Sequence, residues 1–146
     1  RAAGTSEEML VEVHGTGTLA ECQICGARNP VEASFTQFKQ TRQPPICECG
    51  GYLKPATISF GQSLHERDLA RAFAAAAACD LVIALGSTLS VSPANAIPLA
   101  AAQAGTPYII INRDETDHDS LPQVSLRLTG NVEEMFPPAV DDALAN

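Results

Sequence analysis

Cys22-Gln-Ile-Cys25-Gly26 and Cys47-Glu-Cys49-Gly50-Gly51 are two cysteine pairs separated by 21 residues, numbers 26 to 46. Four thiolates brought together in this way suit zinc, and a closed shell of four sulfurs leaves no position for water, so such a site is structural. The first pair has the usual two-residue spacer, whereas the second has one residue between its cysteines, which is shorter than the common pattern. The spacing predicts a zinc site formed by Cys22, Cys25, Cys47 and Cys49.

Two disulfides, or four free thiols, are the alternatives to zinc. Disulfides need an oxidising compartment, and we expect a reducing one because the sequence shows no apolar signal segment. The chain has five cysteines, so two disulfides also leave one thiol over. That fifth residue, Cys79, follows an alanine-rich run and is typical of an ordinary core position. Zinc is therefore the favoured interpretation, and the cytoplasm the expected location.

Composition restricts the classes of function. The 146 residues are 45% hydrophobic and 18% charged, which is typical of a globular domain or of a domain with a small inserted module. The net charge of −8 argues against direct binding to nucleic acid, whose phosphates repel an acidic protein. No apolar run approaches the roughly 18 residues of a membrane span, so we expect no membrane insertion.

Residues 18–54 differ in texture from the rest of the chain, because they lack regular periodicity and contain the four cysteines of the two pairs. A segment this small and polar cannot form an apolar core of its own and needs a metal to stabilise its fold. We therefore predict a zinc-binding module there. Residues 1–17 and 55–146 are predicted to form the main domain. Its predicted strands are 9–13, 55–59, 81–85, 107–111 and 124–128. Its predicted helices are 63–78, 92–104 and 131–145.

Strands that alternate with helices indicate an open parallel sheet, and the fold class is therefore α/β, a partial Rossmann-like sheet with an inserted zinc ribbon. Ligands of such sheets lie beyond the carboxyl ends of the strands. Gly86-Ser87-Thr88 and Asn112-Arg113-Asp114 follow the two most apolar strands, and His14 with two glycines follows the first. These residues are candidates for a binding site, although they are also common in plain turns and loops.

Six stretches in order resemble the sirtuin family of NAD-dependent protein deacylases. They are Val11-Glu-Val-His14-Gly15, the four cysteines, Cys49-Gly-Gly-Tyr-Leu-Lys-Pro55, Phe60-Gly61-Gln62, Leu85-Gly-Ser-Thr-Leu-Ser-Val-Ser-Pro93 and Ile111-Asn112. Each motif alone is weak, but six in the family's order, across nearly the whole chain, are specific. The chain departs from the family at Ser87-Thr88, which inverts the usual threonine-serine order, and at Gln62, which replaces a common glutamate.

The resemblance implies roles for particular residues. His14 corresponds to the family's general base, which helps a ribose hydroxyl attack the imidate formed when acyl-lysine displaces nicotinamide from NAD. The products are nicotinamide, deacylated lysine and O-acyl-ADP-ribose. The residues implied to bind NAD are Gly86, Ser87, Thr88, Asn112, Arg113, Asp114 and Val132. The residues implied to bind an acyl-lysine protein or peptide as an added strand are Ser59, Phe60, Gly61, Leu89, Ser90 and Val91.

In the family a glycine-rich phosphate loop and an Asn-x-Asp motif lie upstream of the histidine, and neither occurs in residues 1–13. The resemblance is therefore to the C-terminal portion of the catalytic core, and Arg1-Ala-Ala-Gly4 resembles the segment that follows the Asn-x-Asp motif. We expect the chain to act within a longer protein or with a separate N-terminal half, and to bind zinc but be inactive alone. Two alternatives are a non-catalytic zinc-ribbon interaction scaffold and a mono-ADP-ribosyltransferase.

Overall fold

The computed structural model describes residues 4–145, which form six strands and four helices. The strands are β1 (Gly15–Cys22), β2 (Arg28–Pro30), β3 (Leu53–Thr57), β4 (Val82–Leu85), β5 (Tyr108–Asn112) and β6 (Leu126–Thr129). The helices are α1 (Val31–Thr41), α2 (Glu66–Ala78), α3 (Ala96–Gln103) and α4 (Val132–Leu144). They belong to two compact units, of which the first ends at Asp68 and the second begins at Leu69. Within the described residues, every helix is too short or too polar to span a membrane.

The first unit is built on a three-stranded antiparallel sheet in the order β2-β1-β3. Helix α1 follows β2 directly and contributes the buried residues Val31 and Ser34. Ala20 of β1 and Ala56 of β3 are also buried, whereas Phe35 and Phe38 of α1 stay about half exposed. The few buried side chains are small, so this unit has little apolar core of its own, as predicted for the metal-dependent segment.

One strand prediction in this unit is wrong, and another is right about the strand but wrong about its sheet. Residues 9–13 form no strand. Met9 ends a turn in which its own backbone N–H donates to the Ser6 carbonyl, and the first strand begins only at Gly15. The alternating pattern there is real, but a strand also needs a neighbouring strand to pair its backbone groups. The strand predicted at 55–59 is β3, which pairs antiparallel with β1 and so does not join the parallel sheet.

The second unit contains the predicted parallel sheet, in the order β4-β5-β6. Tyr108 and Ile110 of β5 are fully buried, and they pack with Leu89 and Ala102 in one apolar cluster. The central strand is the most buried because it has a hydrogen-bonded neighbour on each side. The α/β fold class is confirmed, and these three strands lie within two residues of their predicted bounds.

The helix ends agree less well with their sequence signals. Helix α2 begins at Glu66, three residues after the start predicted at residue 63. Helix α3 begins at Ala96 because residues 92–95 form a turn in which the Ser92–Pro93 peptide is cis. Helix α4 begins as predicted, with the Asn131 side chain accepting a hydrogen bond from the Glu133 N–H at 3.1 Å. The division into residues 1–17 with 55–146 and 18–54 stays a prediction.

Gly15 offers a test of the β1–β3 pairing. Its φ of +73° is unfavourable for other residues, and a Cβ there would lie 2.1 Å from the Ala56 carbonyl oxygen. We expect Gly15→Ala to lower the free energy of unfolding of the first unit by roughly 2 to 3 kcal/mol. Gly17→Ala is the matched control, since Gly17 has no atom within 4 Å of such a Cβ. Urea unfolding measures both; equal stability of the two variants contradicts the pairing.

Candidate functional site

The four predicted cysteines converge at one end of the first unit. All four sulfurs lie within 4.8 Å of one another, with 3.5 Å between Cys22 and Cys49 and 3.8 Å between Cys25 and Cys47. A tetrahedron with metal–sulfur bonds of about 2.3 Å has edges of about 3.8 Å, so the sulfurs fit one zinc ion. All four are free thiols. The geometry supports a closed, structural zinc site and not two disulfides.

Two backbone turns carry the cysteines. In the first turn the Gly26 N–H donates to the Cys22 carbonyl at 3.0 Å, and Gly26 has a φ of +70°. In the second the Gly50 N–H donates to the Cys47 carbonyl at 2.8 Å, so a tight turn accommodates the one-residue spacer. A Cβ on Gly51 would lie 2.5 Å from the Cys22 sulfur, which leaves glycine as the residue that fits beside the cluster.

The backbone also prepares one sulfur for metal binding. Hydrogen bonds from the backbone N–H groups of Cys25 and Ile24 lower the pKa of the Cys22 thiol to about 6. The Ala27 N–H lowers the pKa of Cys25, but hydrogen bonds shared with Cys49 and Cys22 outweigh it and raise that pKa to about 12. The Cys22 thiol therefore ionises readily, and its negative charge makes the neighbouring thiols harder to ionise. A bound divalent cation would neutralise that charge and allow all four to ionise.

His14, the predicted general base, lies in the turn just before β1 and has an exposed side chain. Its carbonyl accepts a hydrogen bond of 2.9 Å from the Ile58 N–H, which ties this turn to the end of β3. Gly15 immediately after it permits the close approach to Ala56 described above. The backbone at His14 is therefore fixed, while its imidazole is free to meet a ligand.

The second unit has an open groove of about 400 Å³ at the carboxyl edge of its parallel sheet. Three chain segments form it: the turn after β4, the loop after β5, and the first turn of α4. The lining residues are Gly86, Thr88, Asn112, Arg113, Asp114, Gly130, Asn131, Val132 and Glu133. The groove thus combines backbone, amide and charged groups, as a polar nucleotide would require.

Six of the seven residues predicted to bind NAD line this groove. The seventh, Ser87, lies between two lining residues, and its Oγ accepts a hydrogen bond of 3.2 Å from the Leu89 N–H. Gly130, Asn131 and Glu133 line the groove but were not predicted as binding residues. The helix-capping signal at Asn131 could have indicated them, because a helix that begins beyond a strand of the sheet presents its first turn at the carboxyl edge.

The loop after β5 is held by its own polar groups. Asn112 is buried, and its side-chain amide donates to the Asp114 carbonyl at 2.8 Å. Arg113 and Asp114 form an ion pair at 3.3 Å in which both side chains are well exposed. Arg127 of β6, which the sequence did not single out, donates to the carbonyl oxygens of Asn112 and Asp114. The loop therefore has a defined backbone and exposed charged groups.

The two segments predicted to bind the substrate differ in exposure. Ser59, Phe60 and Gly61 are exposed, with Phe60 at 95%. In the other segment Ser90 and Val91 are exposed, but Leu89 is buried in the core cluster of the second unit and has a φ of +55°. Leu89 could thus offer a substrate only its backbone, which is the part that strand addition uses. The roles of these residues remain predictions.

A model of the Sir2 family matches residues 1–93 of the chain. The chain is 39% identical over 127 residues to NAD-dependent protein deacetylase 1 of Bradyrhizobium diazoefficiens, covering 87% of this chain and 50% of that protein. It is 38% identical over 128 residues to NAD-dependent protein deacetylase of Rhodopseudomonas palustris, covering 87% of this chain and 51% of the relative. The chain thus spans about half the length of the curated relatives it matches.

Solved structures agree with these sequence matches. The chain superposes on Sir2Tm bound to a propionylated peptide with a TM-score of 0.86 and 26% identity, covering 99% of this chain and 59% of that one. It superposes equally on a Sir2 complex with a p53 peptide and NAD+, with a TM-score of 0.86, 26% identity and coverage of 99% and 58%.

Zinc binding can be tested by changing one ligand. We expect the protein to carry one zinc ion per chain and Cys25→Ser to lose it, because three thiolates leave the tetrahedral shell open. Loss of the metal removes on the order of 10 kcal/mol of apparent binding free energy, so the first unit unfolds. Metal content by mass spectrometry and circular dichroism measure the two effects. Cys79→Ser, outside the cluster, is the control; zinc retained by Cys25→Ser contradicts the assignment.

Asp119 makes the second unit sensitive to acid. Desolvation opposes the shift, but hydrogen bonds from Thr116 and Arg127 hold the pKa of Asp119 below its ordinary value of 3.8. Its stabilising contribution is therefore complete above that value and is lost as pH falls through the folded-state pKa. We expect Asp119→Asn to lower the free energy of unfolding by up to about 1 kcal/mol at pH 7 and to match wild type in strong acid.

Urea unfolding across the acid range measures this difference. Asp114→Asn is the control, because Asp114 is 71% exposed and its partner Arg113 is 80% exposed, which leaves their ion pair little energy. If Asp119→Asn lowers the free energy of unfolding by the same amount at every pH, the substitution acts through packing and not through the charge of Asp119.

Proposed function

The chain belongs to the Sir2 family, and we propose that it forms part of an NAD-dependent protein lysine deacylase. The products are nicotinamide, the free lysine and O-acyl-ADP-ribose. The observation that carries this proposal is the groove of the second unit, where six residues implied by the resemblance to bind NAD come together. Because the chain spans about half of its relatives, the activity belongs to the protein that contains it.

The groove suits the adenosine side of NAD. In open α/β sheets a nucleotide lies beyond the carboxyl ends of the strands, and an acidic or amide side chain after a strand can bond to ribose hydroxyls. Asn112 and Asp114 supply these groups, and Gly86 with its φ of +60° lets a ligand approach the backbone closely. Val132 offers an apolar contact for the adenine ring. These features support NAD as the co-substrate.

His14 is proposed as the general base. A ring nitrogen of an imidazole can accept a proton from a ribose hydroxyl as that hydroxyl attacks. The exposed side chain on a backbone tied to Ile58 suits this role. The proposed substrate is an acyl-lysine in an extended peptide, which pairs with residues 59–61 and 89–91. The four free thiols of the cluster support a reducing compartment, and we propose a cytoplasmic location.

A non-catalytic zinc scaffold and a mono-ADP-ribosyltransferase are the other candidates. The scaffold accounts for the cysteine cluster but gives no reason for a polar groove at the sheet edge. ADP-ribosyl transfer uses the same groove and the same break of the nicotinamide bond, so it differs only in which nucleophile receives the ribose. The fate of the acyl group therefore separates this candidate from deacylation.

The test is NAD consumption by the natural gene product that contains this chain, with an acetyl-lysine peptide as substrate. We expect nicotinamide to appear in equal amount with deacylated lysine. His14→Ala should lower kcat/KM by a factor of roughly 10² to 10⁴, the usual range for loss of a general base. His65→Ala is the matched control, since His65 is an exposed loop histidine outside the proposed site.

Three results would count against deacylation. ADP-ribose attached to protein without loss of acyl groups favours the transferase. No consumption of NAD by wild type favours the scaffold. Equal activity of His14→Ala and wild type removes His14 from the mechanism. The 146 residues assayed alone add a further check, because we expect them to consume little or no NAD.

A further inference from the structure

We propose that Arg127 is a positioning residue for the nucleotide, because its guanidinium sets the backbone of the loop after β5. The inference rests on the proposed function, since it takes that loop to hold the ribose of NAD. Arg127 does not line the groove, and its side chain is 18% exposed. It would therefore act through the loop after β5, because the guanidinium of Arg127, on β6, donates to the backbone of that loop.

Arg127 makes hydrogen bonds with every nitrogen of its guanidinium. Nη1 donates to the Asn112 carbonyl at 2.9 Å and also to the Leu128 carbonyl, and Nη2 donates to the Asp114 carbonyl at 2.7 Å. Nε donates to Asp119 Oδ1 at 2.7 Å. Two of these acceptors are the main-chain oxygens at the ends of the predicted ribose loop, 112–114.

The same two oxygens each accept a second hydrogen bond. The Asn112 carbonyl also accepts from the Gly130 N–H at 3.2 Å, and the Asp114 carbonyl also accepts from Asn112 Nδ2 at 2.8 Å. If Arg127 were lost, each of these two oxygens would still accept one hydrogen bond. The loop would stay folded but would lose the group that joins its two ends, so its groove-lining side chains would no longer be held in one arrangement.

Arginine is required at this position for a geometric reason. A guanidinium is planar and rigid, so it can place two donors on two carbonyls while a third faces a carboxylate. Lysine is a single charged centre on a flexible stem, and it can keep the ion pair with Asp119 without spanning both carbonyls. Asp119 is in turn fixed by the Thr116 N–H at 3.1 Å, which orients the arginine.

The experiment compares Arg127→Lys, which keeps the charge, with Arg127→Met, which keeps the apolar stem. Amide hydrogen exchange of residues 112–116 is measured in the full chain without ligand. The dissociation constant for ADP-ribose and the KM for NAD are measured in the natural gene product. Arg67→Lys is the control, since Arg67 is 84% exposed and lies outside the second unit.

We expect both Arg127 variants to exchange the loop amides faster and to bind ADP-ribose roughly tenfold more weakly, because hydrogen bonds from a charged donor are lost. KM for NAD should rise while kcat stays near wild type, which is the signature of lost binding and not of lost chemistry. In Arg127→Lys, which keeps the charge, the increase in the dissociation constant should not depend on salt, because Arg127 does not touch the ligand. Thermal unfolding should change more in Arg127→Met than in Arg127→Lys.

Wild-type loop exchange or wild-type affinity in Arg127→Lys overturns the proposal, because charge alone would then suffice. A lower melting temperature with unchanged ADP-ribose affinity of the folded protein also overturns it, by making Arg127 a stabilising residue only. A strongly salt-dependent loss would assign Arg127 to direct contact with phosphate. If wild type does not bind ADP-ribose, the proposed function fails and the nucleotide role with it, whereas the exchange data still decide whether Arg127 holds the loop.

Discussion

Hydrogen bonding between parallel strands is the constraint on which the candidate nucleotide site depends. The β4–β5 and β5–β6 ladders pair Leu85 with Ile111 and Asn112 with Thr129, so all three strands end at one edge. The pairing continues one residue further on each side, because the Gly86 N–H donates to Ile111 and the Gly130 N–H donates to Asn112. Segments far apart in the chain are therefore brought to a single groove.

The loop after β5 is polar and exposed at Arg113 and Asp114, yet its backbone is held by hydrogen bonds. The charged side chains of Arg113 and Asp114 are exposed. The carbonyls of Asn112 and Asp114 accept hydrogen bonds from Arg127, and the Asp114 carbonyl also accepts one from the Asn112 side chain. A loop held in this way loses little conformational entropy when a ligand binds, which favours affinity. The exposed side chains of Arg113 and Asp114 are thus distinct from Arg127, which bonds to the backbone of their loop.

The first unit meets a different constraint. Its buried residues are mainly small, and Cys22 is the one cysteine of the cluster that is buried. A three-stranded sheet with one helix and few buried apolar side chains has little core of its own, and a zinc crosslink between its turns would supply the missing free energy. Glycine at positions 26, 50 and 51 follows from the same site, because the turns need positive φ or space beside a sulfur.

The sequence by itself determined the features that local chemistry controls: the cysteine set, the apolar runs of β4 and β5, the Asn131 cap and the family motifs. It predicted six of the groove residues through resemblance. Only the tertiary structure decided that residues 9–13 have no strand partner, that β3 pairs with β1, and that Arg127 bonds to the loop after β5. The physical reason is that backbone and guanidinium hydrogen bonds are made to groups distant in the chain, and no local pattern specifies which distant group is reached.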